Sequence, residues 1–351
     1  MPDVATDPTP RLVADARALC PKHMAHGPCG GVADDGGCEV AGVRCPYEHV
    51  VRWAGPPRPP PRDDPPHPQH APPAPRLAPL RWLMDLRLRR DDLTRLAGSA
   101  DVLHGVVDAV LVGEHLDDDT GLSQDEMARW VADHIGLPAV VTVTARDRSA
   151  ERLRDDLAAL AGAGVLAVHC VTGDHPAARF GPGADASFTL DAFDLIVAAR
   201  EAGLAVSAAA SPASPPVAER AVRAADKVRA GAEVLVCNHA GDEGVLARFG
   251  ADVAARCDVQ LLAPVPLLSD PASVARLTQF PGLRLFPEDV ATVLGADPAD
   301  AEAVGRDVAV RRARGMLATP GYTGINLSGT GPTDARHRAA MVAEIVGAVD
   351  E

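Results

Sequence analysis

From about residue 79 onward, short runs of apolar residues alternate with longer segments in which apolar and polar positions recur at helical spacing. The apolar runs predict eight strands, at residues 80–86, 109–113, 139–145, 166–173, 205–211, 233–238, 259–265 and 322–328. The segments between them, such as 151–164, 191–203 and 220–232, are amphipathic and end on or near a glycine suited to the end of a helix. Eight strands separated by helices favour an α/β fold, a (β/α)8 TIM barrel, over an open doubly wound sheet.

The residues before this repeat divide into two further zones. Residues 1–54 contain a helix-like stretch from Pro10 to Leu19 and then a glycine- and cysteine-rich region with little apolar periodicity. Residues 55–78 are dense in proline, which removes amide donors and favours extended polyproline II structure. We therefore predict a cysteine-rich module at 1–54, a semi-rigid linker at 55–78 and a barrel at 79–351. A ligand for SH3 or WW domains is the alternative interpretation of the proline-rich segment.

Length and charge narrow the class of protein. A chain of 351 residues accommodates one barrel of about 250 residues and one small module. The formal net charge of -14 argues against nucleic-acid binding, because it repels a phosphate backbone. The sequence has neither a long apolar run nor a basic start followed by an apolar stretch, so we expect a cytoplasmic protein without a membrane segment. A homo-oligomer is compatible with these features.

Four of the seven cysteines lie in a short glycine-rich segment: Cys20, Cys29, Cys38 and Cys45. The odd total and this crowding argue against a secreted disulfide framework. Thiolate ligands favour zinc or a [4Fe-4S] cluster over magnesium or calcium. The spacing lacks the CxxC pair of many zinc ribbons, so four unrelated free thiols stay the alternative. Three histidines are further ligand candidates that we expect to face solvent, given four cysteines: His23, His26 and His49.

Both parts of the chain resemble known sequences. The string CPKHMAHGPCGGVADDGGCEV, within residues 12–50, is similar to the small cysteine-rich domain named for the C terminus of methylenetetrahydrofolate reductases. Residues 80–328 resemble the barrel of the same family, through the segments TVTARDRSAERLR, GVLAVHCVTGDHP, ADKVRAGAEVLVCNHAGD and APVPLLS in the family's order. The resemblance implies an oxidoreductase of one-carbon metabolism and methionine biosynthesis that reduces 5,10-methylenetetrahydrofolate to 5-methyltetrahydrofolate.

The resemblance also implies three catalytic residues. Asp174 matches a family aspartate beside the flavin ring and the pterin, although a turn-stabilising aspartate is the alternative. Asp85 lies where the family has a glutamate that protonates the folate, and a carboxyl group buried at a barrel mouth is able to donate a proton near neutral pH. Asn238 replaces a glutamine that contacts folate. Asp85 and Asn238 are each one methylene shorter than the family residue.

FAD and NAD(P)H are the cofactors that the resemblance implies. The residues expected to contact cofactor are Thr142, Thr144, Gly173, Asp174 and Lys227. Threonine is also a common strand residue, and a lysine on a helix is usually solvated. Because no GxGxxG motif follows a predicted strand, NAD(P)H is expected at the barrel mouth, as in the family.

Three positions depart from the family pattern. The arginine before the Gly-Asp pair is Thr172, an aromatic residue is Ser211, and a histidine is Pro215. Such residues normally contribute charge and stacking to flavin binding, so FAD binding is uncertain and direct hydride transfer from NAD(P)H stays open. The departures favour a second interpretation, a non-catalytic or electron-transferring subunit with a protein partner. A folate-dependent methyl transferase is the third interpretation.

Overall fold

The computed structural model describes residues 9–50, 77–95, 100–329, 331 and 334–351. The proline-rich linker predicted at 55–78 lies almost entirely outside the described residues, so it stays a prediction. Within the described part of the chain, none of the helices is both long and apolar enough to cross a membrane.

Eight parallel strands pair in chain order and close into a barrel, with the last strand beside the first. The strands are β1 Trp82–Leu86, β2 Ala109–Val112, β3 Ala139–Thr144, β4 Ala167–Val171, β5 Val206–Ala210, β6 Val234–Cys237, β7 Gln260–Pro266 and β8 Gly324–Ser328. Each observed boundary is within two residues of the predicted one. The predicted TIM barrel is therefore confirmed.

Helices surround the strands. Those in the described residues are α1 Thr9–Leu19, α2 Asp92–Arg95, α3 Ala100–Leu103, α4 Gln124–His134, α5 Ala150–Gly162, α6 Ala177–Phe180, α7 Ala192–Glu201, α8 Arg220–Ala230, α9 Glu243–Ala254, α10 Pro271–Leu277, α11 Pro287–Leu294, α12 Ala301–Ala318 and α13 Ala335–Asp350. The predicted amphipathic segments correspond to α5, α7 and α8, and the predicted N-terminal helix is α1. Gly164 and Gly203 follow α5 and α7 with φ of 71° and 77°, a conformation that glycine adopts without strain.

Alternate residues of each strand belong to two different apolar clusters. Met84 and Val110 pack with helix residues in the larger cluster, whereas Leu83 and Leu111 belong to a cluster that contains no helix residue. Because successive strand side chains point to opposite faces, the second cluster fills the interior of the barrel. Nearer the carboxyl ends of the strands, the inward positions become polar: Asp85, Thr142, Thr144, His169 and Asn326. This end of a TIM barrel is where active sites form.

The cysteine-rich module is docked on this carboxyl-terminal end of the barrel. It has a small core in which Met24 and Tyr47 are fully buried. Ser214, in the loop after β5, donates a hydrogen bond through Oγ to the carbonyl of Gly30 at 2.7 Å. Arg284, beyond β7, forms an ion pair of 2.7 Å with Asp34. The module thus obtains much of its packing from the loops of the barrel mouth.

Candidate functional site

Asp85 lies on the inward face of β1 with partial access to solvent. Its Oδ1 accepts a hydrogen bond of 3.0 Å from Nδ2 of Asn326 on the adjacent β8. Burial raises the pKa of Asp85 to about 6, against the lowering effect of hydrogen bonds from Asn326 and from the backbone N–H of Gly329. A carboxyl group with this pKa is partly protonated near neutral pH and is able to act as a general acid.

The two threonines of the predicted cofactor set are buried on β3, on the inward face. The hydroxyl oxygen of Thr144 accepts a hydrogen bond of 3.1 Å from Nη1 of Arg148, and its backbone N–H donates to Glu114 at 2.8 Å. On β4, the ring Nδ1 of His169 lies 2.9 Å from Oγ of Ser207. Burial, with a smaller effect of a nearby lysine charge, lowers the pKa of His169 to about 3, so this imidazole is neutral. The carboxyl-terminal end of the barrel interior therefore offers the neutral hydrogen-bonding groups of these threonines and of His169 beside the titratable carboxyl group of Asp85.

Gly173 and Asp174 follow β4 and lie at the edge of the module. Gly173 has a φ of 87°, and a Cβ placed on it would lie 2.8 Å from Cβ of Thr144, so glycine is required for this close approach. Its carbonyl accepts a hydrogen bond of 2.6 Å from Nζ of Lys22, a buried residue of the module. Lys22 also forms an ion pair with the buried carboxylate of Glu39, and the negative charges of Cys29, Glu39 and Asp174, in that order of effect, raise the pKa of Lys22.

Sequence reasoning missed Lys22. The available signal was its position in the CPK string two residues after the first cysteine, but nothing in that string identified a partner in the barrel.

Lys227 and Asn238 lie near the end of β5. Lys227 is buried on α8 rather than solvated, and its Nζ donates a hydrogen bond of 2.5 Å to the carbonyl of Ala209. Burial, followed by the charges of two neighbouring arginines, lowers the pKa of Lys227 to about 7. Asn238 donates a hydrogen bond of 3.1 Å through Nδ2 to Oγ of Ser211, which joins the ends of β6 and β5. Asn238 therefore lies at the mouth, whereas Lys227 contacts the backbone of the barrel wall.

Three of the four module cysteines share one local geometry. The backbone N–H two residues further along the chain donates to the sulfur of Cys20, Cys38 and Cys45. This bond favours the thiolate form, which is the form that binds metal. Burial, and to a smaller extent the neighbouring cysteines, nevertheless raise the pKa of Cys38 to about 11 and of Cys45 to about 12. The thiols are thus close enough to repel one another when ionised, as expected of ligands that share one centre.

The spacing of these sulfurs bears on the type of metal. A tetrahedral zinc site with Zn–S bonds of about 2.3 Å places its sulfurs roughly 3.8 Å apart. Among the residues that the structure describes, no three of the cysteine sulfurs lie within 4.8 Å of one another. The four thiols are a donor set that either predicted metal accepts.

The expectation for one of the three histidines was wrong. His23 and His49 are exposed, whereas His26 is buried, and its Nδ1 lies 2.8 Å from a carboxylate oxygen of Asp191. His26, Asp191 and Asp194 hold their ligand atoms within 4.8 Å of one another. Both carboxylates, however, cap α7, since Asp191 accepts from the N–H of Phe193 and Asp194 from the N–H of Asp191. His26 therefore anchors the module to the start of α7.

The docked module does not leave the predicted flavin contacts open. Lys22 of the module contacts the loop after β4 through its hydrogen bond to Gly173. Gly30 of the module lies so close to Ser211, after β5, that a Cβ on this glycine would clash with the serine hydroxyl. Glu39 accepts a hydrogen bond of 2.8 Å from the N–H of His175 in the same β4 loop. The β4 loop carries two of the five cofactor positions that the resemblance implied, Gly173 and Asp174, whereas the other three lie on β3 and α8. The module therefore packs against the β4 loop, where the resemblance implied a flavin contact.

Comparison with solved structures found similar chains, of which the first named below supports the fold. A protein from Clostridium thermocellum, described as uncharacterized and as binding two copies of 5-methyl-5,6,7,8-tetrahydrofolic acid, aligns with a TM-score of 0.55 at 8% identity, over 78% of this chain and 97% of that chain. A protein from Aquifex aeolicus VF5 aligns with a TM-score of 0.48 at 10% identity, over 77% and 94% of the two chains. A mutant tryptophan synthase α-subunit from Pyrococcus furiosus gives 0.45 at 12% identity, over 77% and 97%.

Sequence comparison identifies both parts of the chain. No curated protein matches the chain. Residues 15–54 match the family described as methylene-tetrahydrofolate reductase C terminal. Residues 106–327 match the family described as methylenetetrahydrofolate reductase, which is more than half of the chain. The chain therefore belongs to the methylenetetrahydrofolate reductase family.

Proposed function

We propose that this protein binds a folate at the carboxyl-terminal mouth of its barrel and reduces 5,10-methylenetetrahydrofolate to 5-methyltetrahydrofolate. The observation that carries the proposal is the buried carboxyl group of Asp85, which has a pKa of about 6 and is oriented by Asn326 at the mouth. The folate bound by the structural neighbour from Clostridium thermocellum supports the choice of ligand.

Asp85 supplies the proton in this reaction. Hydride from NAD(P)H adds to the one-carbon unit and becomes the third hydrogen of the methyl group, while the carbon–nitrogen bond to N10 breaks and N10 takes a proton. Because Asn326 donates to Oδ1 of Asp85, the protonated carboxyl group carries its hydrogen on Oδ2, directed away from Asn326. Asp85 is then ionised and is reprotonated from solvent. Oxidised nicotinamide leaves as the other product.

The remaining predicted residues bind and orient the substrate. Nδ2 of Asn238 is occupied by Ser211, so its amide oxygen is the group that accepts from the pterin edge. Thr142 lies on the inward face of β3 and offers a hydroxyl group to the same ring. Asp174, as an acceptor-only carboxylate, pairs with the amino and N–H donors of the pterin. No step of the proposed reaction passes through a flavin, because the residues that normally supply charge and stacking to a flavin are replaced at three positions, as the sequence comparison with the family pattern indicates.

The four module cysteines hold zinc or a [4Fe-4S] cluster in this proposal. Bound iron–sulfur would supply one-electron transfer, and bound zinc would stabilise the module. The chain's own residues do the same for both metals. Backbone amides donate to the sulfurs of Cys20, Cys38 and Cys45 and so favour the thiolate form that binds metal.

A second candidate function is an electron-transferring subunit of a reductase complex. The observation in its favour is the position of the module, where Cys29 lines a small cavity together with Ala210 and Ser211 at the end of β5. A redox centre at this place would be close to any ligand of the mouth. Electrons would then pass to or from a protein partner through the cysteine site.

One set of measurements separates these candidates. Protein purified without oxygen is examined for its visible spectrum, for folate binding by calorimetry, and for turnover of methylenetetrahydrofolate with NADH and NADPH. The reductase predicts folate binding and turnover, with turnover lost in Asp85→Asn and unchanged in Asp252→Asn, an exposed residue of α9. Folate binding without turnover supports the subunit or a methyl transferase, and a broad brown absorption band selects the subunit. Absence of folate binding rejects the proposal.

A further inference from the structure

The end of β8 holds the carboxyl group of Asp85 through two hydrogen bonds. Nδ2 of Asn326 donates to Oδ1 at 3.0 Å, and the backbone N–H of Gly329 donates to the same carboxyl group. Asn326 lies within β8, and Gly329 directly follows its last residue. Within the described part of the chain, the pKa of Asp85 depends on burial and on these two bonds, without a contribution from a charged side chain. The placement of this strand end therefore determines how Asp85 is oriented.

A buried histidine from another strand fixes this end of β8. Nε2 of His239, in the loop after β6, lies 2.5 Å from Oγ of Ser328, which is the last residue of β8 and the neighbour of Gly329. His239 and Ser328 are 2% and 7% exposed, so water does not compete for this hydrogen bond. Because β7 lies between β6 and β8, the bond ties two strands that do not pair directly.

The direction of this hydrogen bond follows from the other partner of Ser328. Its hydroxyl group has one hydrogen, which it donates to the carbonyl of Val265 at 3.4 Å, so its oxygen accepts from Nε2 of His239. Burial lowers the pKa of His239 to about 4, so the ring is neutral and carries its hydrogen on Nε2. Nδ1 is then an acceptor, and it has no hydrogen-bond partner among the described residues.

The unpartnered Nδ1 makes His239 a costly residue for a purely structural role. A buried polar atom without a partner destabilises the folded state, and an apolar side chain at this position would avoid that cost. What the histidine adds is the contact of Nε2 with Ser328. That contact is therefore the feature of His239 that points to a function.

We propose that His239 is a positioning residue for the proton donor: through Ser328 it fixes the end of β8, so that the N–H of Gly329 stays directed at Asp85. The inference rests on the proposed role of Asp85. His239 itself transfers no proton in this arrangement, because the hydrogen on Nε2 is held by Ser328.

The cysteine-rich module contacts the same loop. The N–H of Arg284 donates to the carbonyl of His239 at 3.3 Å, and the guanidinium of Arg284 forms the ion pair with Asp34 of the module. The loop that fixes β8 is thus also the loop that lies beneath a contact of the module.

The test uses full-length variants that alter the Nε2 contact. His239→Gln places an amide nitrogen near the position of Nε2 and should keep the bond, whereas the shorter His239→Asn should lose it. Ser328→Ala removes the acceptor with little change in volume, and it keeps the test decisive if His239→Asn fails to fold. Ser269→Ala is the matched control, because Ser269 is also buried, after β7, but its hydroxyl group has no partner among the described residues.

Two measurements are made on each variant. Infrared spectroscopy between pH 4 and 9 follows the carboxyl band that Asp85→Asn removes, and this titration requires no turnover. Steady-state kinetics with methylenetetrahydrofolate and NADH or NADPH give kcat and KM over the same range of pH.

We expect the titration midpoint of Asp85 to rise by about half a pH unit or more in His239→Asn and Ser328→Ala, because a hydrogen bond to the ionised form is weakened. In both variants kcat should fall about tenfold with KM for the folate unchanged, since the proton donor is misaligned but no substrate contact is removed. His239→Gln and Ser269→Ala should behave as the wild type.

An unchanged midpoint in Ser328→Ala, or an equal shift in His239→Gln or Ser269→Ala, overturns the inference. A wild type without turnover rejects the proposed reaction, whereas a shifted midpoint in the same protein still supports the positioning of Asp85 by His239.

Discussion

Replacing Asp85 by asparagine should make the protein more stable above neutral pH while removing its proton donor. Burial raises the pKa of Asp85 from 3.8 to about 6 in the folded state. The folded protein therefore binds more protons than the unfolded chain between these values, and it loses stability as the pH rises through 6. A difference of about two pKa units corresponds to about 3 kcal/mol in the free energy of unfolding. Asparagine keeps an acceptor for Asn326 but cannot ionise, so the variant avoids this loss.

Urea unfolding of the wild type and Asp85→Asn at pH 4, 6 and 8 measures the effect. Relative to its value at pH 4, the advantage of Asp85→Asn should grow to about 2.4 kcal/mol at pH 8, with most of the change between pH 4 and 6. Asp252→Asn, which alters an exposed carboxylate, should show no such growth. An advantage that is independent of pH, or a variant that becomes relatively less stable at pH 8, would show that the carboxyl group is not held in its acidic form by burial.

Three further outcomes are expected. In the proposed reaction, kcat/KM of the wild type should fall as the pH rises through about 6, because Asp85 must be protonated, and steady-state rates from pH 5 to 9 test this. Lys22→Met should leave a buried carboxylate unpaired and lower the free energy of unfolding by about 3 kcal/mol, with faster tryptic release of the module, while Lys22→Arg behaves nearly as the wild type. Gly173→Ala should lower the free energy of unfolding by roughly 1–3 kcal/mol more than Gly183→Ala, since both have positive φ but only Gly173 lacks room for a Cβ. Thermal melting compares the last two variants, and equal losses would contradict the steric argument.

The barrel could be predicted from the sequence because each of its strands and helices has its own local sequence pattern. Each strand is a short apolar run, each helix has its own amphipathic period, and the closed order β1 to β8 follows from repeating the unit eight times. Asp85 was chosen from the resemblance to the family, and its inward direction in the structure is the one that alternation along β1 gives. Its partner Asn326 did not follow from either, since the two residues are 241 positions apart and meet only when the barrel closes.

The contacts of the module were beyond local reasoning for the same reason. Lys22 meets Gly173 across 151 positions, and His26 meets Asp191 across 165 positions. Without those partners, a histidine in a polar loop is expected to face solvent, and a lysine on the amphipathic helix α8 is expected to be solvated. Lys227 is buried instead, because α8 is covered on one face by β5 and lies beside the module.

The position of the module determines how the two halves of the mouth are used. Its described contacts fall on the loops after β4, β5 and β7, whereas Asp85 and Asn326 belong to β1 and β8. In an eight-stranded barrel β1 lies opposite β5, so the proposed proton donor and the cysteine site occupy opposite sides of one opening. A folate that contacts Asp85 would reach Asp174 of the β4 loop on the other side of the mouth, and Asp174 lies beside Lys22 of the module. The module therefore forms one wall of the proposed pocket, and changes that loosen it should alter substrate binding before they alter the proton donor.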